Sequence, residues 1–166
     1  MDSGITLRQA VPGDAPLILS FIRELAEYER LAHQVVATDA SVRETLFGAT
    51  PRAEVIIADA GGLPAGFALF LHNYSTFLTR PGIFLEDLYV RPAFRRLGIG
   101  RRLLTRLAAL AVERGCGRFE WNVLDWNDSA KQFYESLGAL PMSEWTTYRL
   151  TGDALAELGR ADTRRD

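Results

Sequence analysis

Residues 83–101 read Ile-Phe-Leu-Glu-Asp-Leu-Tyr-Val-Arg-Pro-Ala-Phe-Arg-Arg-Leu-Gly-Ile-Gly-Arg. Ile83–Val90, apolar but for Glu86 and Asp87, has the length of a strand, and beyond Gly98 the residues Ile99, Leu103, Leu107 and Leu110 recur at steps of three to four. That change of period predicts a strand, a turn and an amphipathic helix over Gly98–Arg114. The turn is Arg95-Arg96-Leu97-Gly98-Ile99-Gly100-Arg101. Two glycines one residue apart at a helix start let the backbone come close to a ligand. The unpaired N–H groups of the first turn, with the positive end of the helix behind them, attract an anion there. A pyrophosphate suits that geometry, and the flanking arginines add charge-assisted contacts. A P-loop is excluded because Gly100 is followed by Arg101 and Arg102. A dinucleotide fingerprint is excluded because position 103 is Leu. A plain glycine-containing helix entry under a solvated arginine face is the alternative that the motif alone leaves open.

Outward from this stretch the pattern alternates. Ile5–Ala10 is a strand candidate, and Asp14 is the expected N-cap, with Pro16 in the first turn, of a helix to about Tyr28. A second helix is expected over Asp39–Phe47. Glu54–Ala60 reads as a strand, Gly61-Gly62 as a tight turn, Pro64–His72 as the hairpin partner and Asn73–Pro81 as a loop. Gly115 and Gly117 end the helix after the arginine turn. Arg118–Leu124 is a further strand, Asn127–Leu137 a helix capped by Asn127 or Asp128, and Trp145–Leu150 the last strand before a short helical tail. The order β-α-α-β-β-β-α-β-α-β predicts an α/β fold with helices on both faces of a mixed sheet. One domain over residues 1–158 is expected, with a charged, frayed tail over 159–166.

Composition sets the outer bounds. The chain has 166 residues, enough for one sizeable core at 48% hydrophobic content. A net charge of −2 argues against a chain-wide affinity for nucleic acid. Of nineteen basic residues eighteen are Arg, and six of these (Arg91, Arg95, Arg96, Arg101, Arg102, Arg106) fall within residues 91–106. Cys116 is the single cysteine, so no intrachain disulfide can form, and a reducing cytoplasm is the expected compartment. Cys116 itself is expected to be buried and structural. No leader and no membrane span are evident, so a protein that stays where it is made is expected. His33 and His72 lack metal-ligand spacing and are read as structural, with no metal expected. Trp121, Trp126 and Trp145 are read as core or pocket wall, since no basic stripe interleaves them.

Leu85-Glu86-Asp87-Leu88-Tyr89-Val90, then Arg95-x-x-Gly98-x-Gly100, then Asn127-x-x-Ala130-x-x-Phe133-Tyr134-x-x-x-Gly138 together resemble the GNAT superfamily of acyl-CoA-dependent N-acyltransferases. Glu24-Leu25-Ala26-x-Tyr28-Glu29, Phe84-Leu85-Glu86-Asp87, Trp126-Asn127 and Trp145 are similar to one branch, the diamine (spermidine/spermine) and thialysine acetyltransferases. The likeness covers about Ile5 to Leu158. It implies the GNAT fold, a mostly antiparallel mixed sheet, and acetyl-CoA as co-substrate. It also implies a small-molecule amine as acceptor and a homodimer. Leu88, Tyr89 and Val90 would hold the pantetheine arm through backbone groups. Arg95, Arg96, Leu97, Gly98, Ile99, Gly100 and Arg101 would wrap the pyrophosphate, and Asn127 and Tyr134 would also meet the cofactor. Glu86 would face the amine, with Tyr28 and Glu29 lining the acceptor pocket. Arg96 departs from the pattern, where close relatives often carry Gly.

The chemistry asks for such groups. An alkyl ammonium with a pKa like that of Lys is neutral in roughly one molecule per few thousand at pH 7, so exposing the free amine costs about 4–5 kcal/mol. A carboxylate that binds the cation and accepts its proton, directly or through water, meets both needs. Glu86 is the candidate, and Asp87, on the opposite sheet face, is read as structural. A backbone N–H within Leu88–Val90 would stabilise the developing oxyanion if a bulge or splay leaves that edge unpaired. Tyr134 is the candidate donor to the departing thiolate. The acidic Glu24, Glu27 and Glu29 would attract a polyamine, with Glu27 read as ordinary helix surface. Direct transfer in a ternary complex is expected, without a covalent enzyme intermediate. Two other readings stay open: an acetyltransferase for proteins or peptides, and a non-catalytic acyl-CoA sensor.

Overall fold

The structure is a computed structural model, and it describes residues 4–162. Residues 1–3 and 163–166, which include the chain start and the end of the expected frayed tail, lie outside the described residues. Five strands form one sheet in chain order: β1 (Ile5–Gln9), β2 (Glu54–Ala60), β3 (Leu63–Ser75), β4 (Arg80–Val90) and β5 (Arg118–Trp121). The first four are antiparallel neighbours, and β5 lies parallel to β4. A parallel neighbour needs a crossover, and the helix α3 (Ile99–Glu113) supplies it. The expected mixed, mostly antiparallel sheet is what forms.

Helices cover both faces because successive strand residues face opposite ways. On one face Val55, Ile57, Phe67 and Tyr89 pack with α1 (Ala15–Tyr28) and with Val42 of α2 (Asp39–Phe47). Phe21 of α1 is fully buried there and stacks on Phe67, with ring centroids 5.2 Å apart. Burial of a phenylalanine of this kind contributes about 2–3 kcal/mol. The alternate set, Ile56, Ala58, Ala68, Phe70, Ile83 and Leu85, is buried on the face of α3 with Ile99, Leu103 and Leu107.

The chain forms two compact units that divide at Leu124 and Asp125. The sheet and α1–α3 make the first. The second holds α4 (Asp128–Ser136) and α5 (Gly152–Asp162). Four expectations need correction. Asn73–Pro81 is mostly not a loop: Asn73, Tyr74 and Ser75 pair with Gly82, Pro81 and Arg80, which leaves a four-residue tip. A pair of long strands carries its ladder past residues whose polarity suggests a loop, because cross-strand hydrogen bonds form whatever the side chains are. The strand expected over Arg118–Leu124 stops at Trp121. Trp145–Leu150 forms no strand. Its Trp-Thr-Thr-Tyr composition favours extended backbone, but a strand needs a ladder partner, and the second unit contains none among the described residues. Asp14 sits at the cap of α1 without bonding its first turn. Its carboxylate accepts instead from Val11 N at 2.8 Å and from the Arg8 guanidinium at 2.8 and 3.0 Å.

Helix ends are set by local chemistry. Gly115 adopts φ +69° after α3, and the bonds Cys116 N to Ala111 O (2.8 Å) and Gly115 N to Val112 O (3.1 Å) close a Schellman motif. This places Cys116 at a helix end, half-buried rather than fully buried.

Candidate active site

Strand β4 supplies the first part of the site. Its ladder with β3 slips at Leu69/Phe70, where Leu69 opposes Asp87 and Phe70 opposes Leu85. Glu86 is therefore the extra residue of a β-bulge, which bends the strand and re-aims its side chain. On the other edge β5 pairs only with Gly82–Leu85. From Glu86 to Val90 no strand engages β4 on the β5 side among the described residues, so the backbone groups facing that side have no strand partner, and Val90 O accepts instead from Arg95 Nε at 3.0 Å. Leu88 and Val90 are half-buried, while the Tyr89 ring is buried against Phe21, 6.4 Å between centroids. The bond from Arg91 N to Ala65 O sets the alternation of the ladder, so Leu88 and Val90 direct their backbone groups to this edge and Tyr89 directs its own to β3.

The arginine turn follows within five residues. Arg95 is extended (φ −67°, ψ 158°), while Arg96 (φ +66°) and Gly98 (φ +80°) are left-handed. Such a left-handed entry to α3 turns successive N–H groups toward one concavity, a nest for an anion. A Cβ built on Gly98 or on Gly100 meets nothing within 4 Å, so neither glycine is demanded by protein packing. The space is open to a ligand, and the exposed arginines beside it suit an anion such as a diphosphate. Arg96 in a left-handed conformation carries a cost of about 1–2 kcal/mol, which explains why glycine suits that position.

The six arginines of this region divide sharply. Arg91 is bound by Glu24, with Nη2 to Oε1 at 2.8 Å and Nε to Oε2 at 3.1 Å. Arg102 donates to Ile5 O at 3.0 Å, and Arg106 pairs with Glu113 at 3.1 Å. Arg95 donates through Nε to Val90 O at 3.0 Å, and its guanidinium lies over the Tyr28 ring at 5.1 Å and the Tyr89 ring at 6.0 Å. Arg96 and Arg101 are exposed, with no ion pair among the described residues. These two carry the charge left for an anion.

The end of α1 brings acidic groups to the same region. Tyr28 is its last residue, and Arg30 takes the left-handed position (φ +62°) that turns the chain. Glu29 is half-buried, and burial raises its pKa. Asp87 shares a sheet face with Tyr89, the face that packs on α1. Burial pushes its carboxyl up to about 6, with further contributions from the charges of Glu86 and Glu29. No hydrogen bond or cation holds Asp87 among the described residues. A carboxylate so placed is held ready for a cation. Asp87 was read as structural from the sequence, because strand alternation turns it away from Glu86. The approach of Glu29 to it is a tertiary fact that no local pattern carries. Glu24, by contrast, leaves the acidic cluster: Arg91 holds its carboxyl below the usual range, and Ser20 also donates to it at 3.0 Å. Glu27 is exposed, as expected for a helix surface.

In the second unit, Asn127 caps α4, its Oδ1 accepting from Ala130 N at 3.2 Å. Tyr134 is half-buried on α4 with its ring 5.6 Å from that of Phe133. Gly138 adopts φ +90° and closes α4, with Ala139 N bonding Tyr134 O at 3.2 Å. The motif glycine is thus a helix stop. Of the tryptophans, Trp121 is half-buried against Phe119 (4.9 Å), while Trp126 and Trp145 are exposed, so none of the three lies in the core. His33 and His72 are exposed, and no group of three or more potential metal ligands occurs among the described residues. No helix among those residues is long and apolar enough to cross a membrane.

A bulged strand with a splayed edge, feeding an open anion nest at a helix start, is the architecture of an acyl-CoA-dependent acyltransferase. Comparison with known proteins gives the family. The acetyltransferase (GNAT) family model matches residues 22–139, and the chain belongs to that family. It is an acetyl-transferring enzyme. It is 37% identical to the thialysine N-epsilon-acetyltransferase of Sus scrofa, over 94% of this chain and 98% of that one. It is 36% identical to the L-ornithine N5-acetyltransferase of Arabidopsis thaliana, over 93% of this chain and 87% of the other. Its fold matches an integron cassette protein of V. cholerae with a TM-score of 0.80 at 24% identity, over 95% and 98% of the two chains.

Proposed function

We propose that this enzyme transfers an acetyl group from acetyl-CoA to a primary amine of a small molecule, a diamine, polyamine or thialysine-like amino acid. The observation that carries the acceptor class is Asp87. An unpartnered, half-buried carboxylate beside Glu86 and Glu29 makes an acidic cluster suited to an ammonium and hostile to an anion. The names of the relatives, thialysine and ornithine acetyltransferases, support an acceptor with a side-chain amine. GNAT acetyltransferases use acetyl-CoA, and the open nest with Arg96 and Arg101 supports it here. The protein acts as a single catalytic domain over residues 1–158, in the cytoplasm and as a homodimer.

Acetyl-CoA, when bound, supplies the activated acetyl thioester. Gly98, Ile99, Gly100 and their neighbours Arg95, Arg96, Leu97 and Arg101 bind its diphosphate. The backbone of Leu88, Tyr89 and Val90 binds the pantetheine arm, and Asn127 also contacts the cofactor. Glu29, Asp87 and the Tyr28 ring seat the ammonium, and Glu86 takes its proton directly or through water. Unengaged N–H groups of β4 steady the negative charge that grows on the carbonyl oxygen. Tyr134 donates the proton that the departing sulfur requires, so transfer is direct within a ternary complex.

Two variants test these roles together. Tyr134→Phe should lower turnover by about 10²–10⁴-fold, with melting temperature and cofactor affinity nearly unchanged. Glu86→Gln should instead alter the pH–rate profile between pH 6 and 10. Full activity in Tyr134→Phe would show that another group delivers the proton.

A further inference from the structure

Arg95 stands where two functions meet. It opens the turn that forms the anion nest, yet its side chain points back from that turn. Its Nε holds the carbonyl oxygen of Val90 at 3.0 Å, and its guanidinium covers the ring of Tyr28 at 5.1 Å. Both partners are groups that the proposed reaction needs: Val90 at the splayed strand edge, and Tyr28 at the wall of the acceptor pocket. An alkyl ammonium and a guanidinium compete for the same aromatic face, since both are drawn to the negative π surface. Two like charges cannot share it.

From this competition we infer that Arg95 is a positioning residue that couples the two substrates, closing the Tyr28 face to the amine until the cofactor's diphosphate draws the guanidinium away. The inference rests on the functional reading above. Arg95 is exposed and makes no salt bridge among the described residues, so only a carbonyl oxygen and two aromatic rings hold it. A diphosphate in the adjacent nest offers formal negative charge and bidentate geometry, which a guanidinium prefers to either. Its departure releases Val90 O and uncovers Tyr28 in one movement. The acceptor then meets Glu29 and Asp87 without the Arg95 guanidinium over the Tyr28 ring. Access of the amine to Tyr28 thereby depends on the cofactor through one side chain. Arg91 cannot do this, because Glu24 grips it with both oxygens.

Fluorine NMR of protein labelled with 3-fluorotyrosine reads the movement. The chain has five tyrosines, and the Tyr28 line is assigned by its loss in Tyr28→Phe. Coenzyme A, with binding followed separately by calorimetry, should shift the Tyr28 line in the wild type. In Arg95→Ala that line should already be displaced in the free protein, and saturating coenzyme A should add less than a quarter of the wild-type shift. As an amine probe, 1,3-diaminopropane should perturb the Tyr28 line of the wild type only with coenzyme A present, and that of Arg95→Ala with or without it. If coenzyme A binds and the Tyr28 line stays, or moves equally in Arg95→Ala, the coupling is wrong. A diamine effect that is absent throughout, or independent of coenzyme A in the wild type, also overturns it. Failure of coenzyme A to bind the wild type would instead overturn the cofactor assignment on which the coupling depends.

Discussion

Replacing Gly100 by Leu separates a glycine kept for the fold from a glycine kept for a ligand. Gly100 lies in the first turn of α3 with ordinary helical backbone, and an added Cβ meets no atom within 4 Å. Leucine is favoured over glycine in a helix by about 0.6–0.8 kcal/mol, so the substitution should leave stability unchanged or raise it by up to that amount. Gly98→Leu differs in one respect. Its φ of +80° makes any side chain cost about 1–2 kcal/mol, although the space around it is equally open. Both side chains would fill the open space at the turn proposed to bind the diphosphate, so both should weaken acetyl-CoA by at least tenfold, or about 1.4 kcal/mol. Urea unfolding gives the stability, from the midpoint at constant slope, and calorimetry gives the affinity. The decisive comparison is Gly100→Leu, for which stability and affinity are expected to move in opposite directions. If its affinity is that of the wild type, the open space is not a cofactor site. If stability falls in step with affinity, the glycine serves the helix entry instead.

Arg96→Gly should stabilise the protein by about 0.5–1 kcal/mol, because the relief of a left-handed arginine outweighs the added freedom of the unfolded chain. The same change removes one of the two uncommitted cations and should weaken acetyl-CoA, so a midpoint shift in urea opposite in sign to the affinity change is the expected result. Asp87 makes stability depend on pH in a particular window. Its folded pKa of about 6 lies above the ordinary 3.8, so the folded state holds a proton that the unfolded state has released between those values. Stability from this group is therefore fully present below about pH 4 and is lost as pH rises through 6, by at most about 3 kcal/mol for two pH units at about 1.4 kcal/mol each. Asp87→Asn should flatten the stability profile between pH 4 and 7 and raise stability at pH 7.5, while lowering affinity for the amine. An unchanged profile would show that Asp87 titrates normally.

The fold was legible where a residue's role is local. The switch of period at Gly98 located α3, and Gly61-Gly62, both at positive φ, marked the β2–β3 turn to the residue. The order β-α-α-β-β-β-α-β-α-β was enough to predict a sheet covered on both sides. Pairing was not legible in the same way. Asn73–Ser75 look like loop residues and join a ladder, while Trp145–Leu150 look like a strand and find none, because a strand is defined by its neighbour. In the site, the arginine turn and Glu86 were visible as motif residues. The division of labour among the arginines was not: Arg91 and Glu24 are 67 positions apart in sequence, and only folding shows that each neutralises the other. The surroundings of Asp87 were hidden for the same reason, since burial and the nearness of Glu29 set them.

Transfer of acetyl from acetyl-CoA to a small amine is read out by a panel of acceptors. Wild-type enzyme with acetyl-CoA should be offered thialysine, ornithine, lysine, 1,3-diaminopropane, spermidine and an N-terminal peptide, with coenzyme A thiol release as the rate and mass spectrometry of the acceptor as the product assay. Thiol release should be matched one for one by an acceptor heavier by one acetyl group, for at least one small amine and well above the peptide. Tight binding of acetyl-CoA with no transfer to any amine, or transfer to the peptide alone, would contradict it.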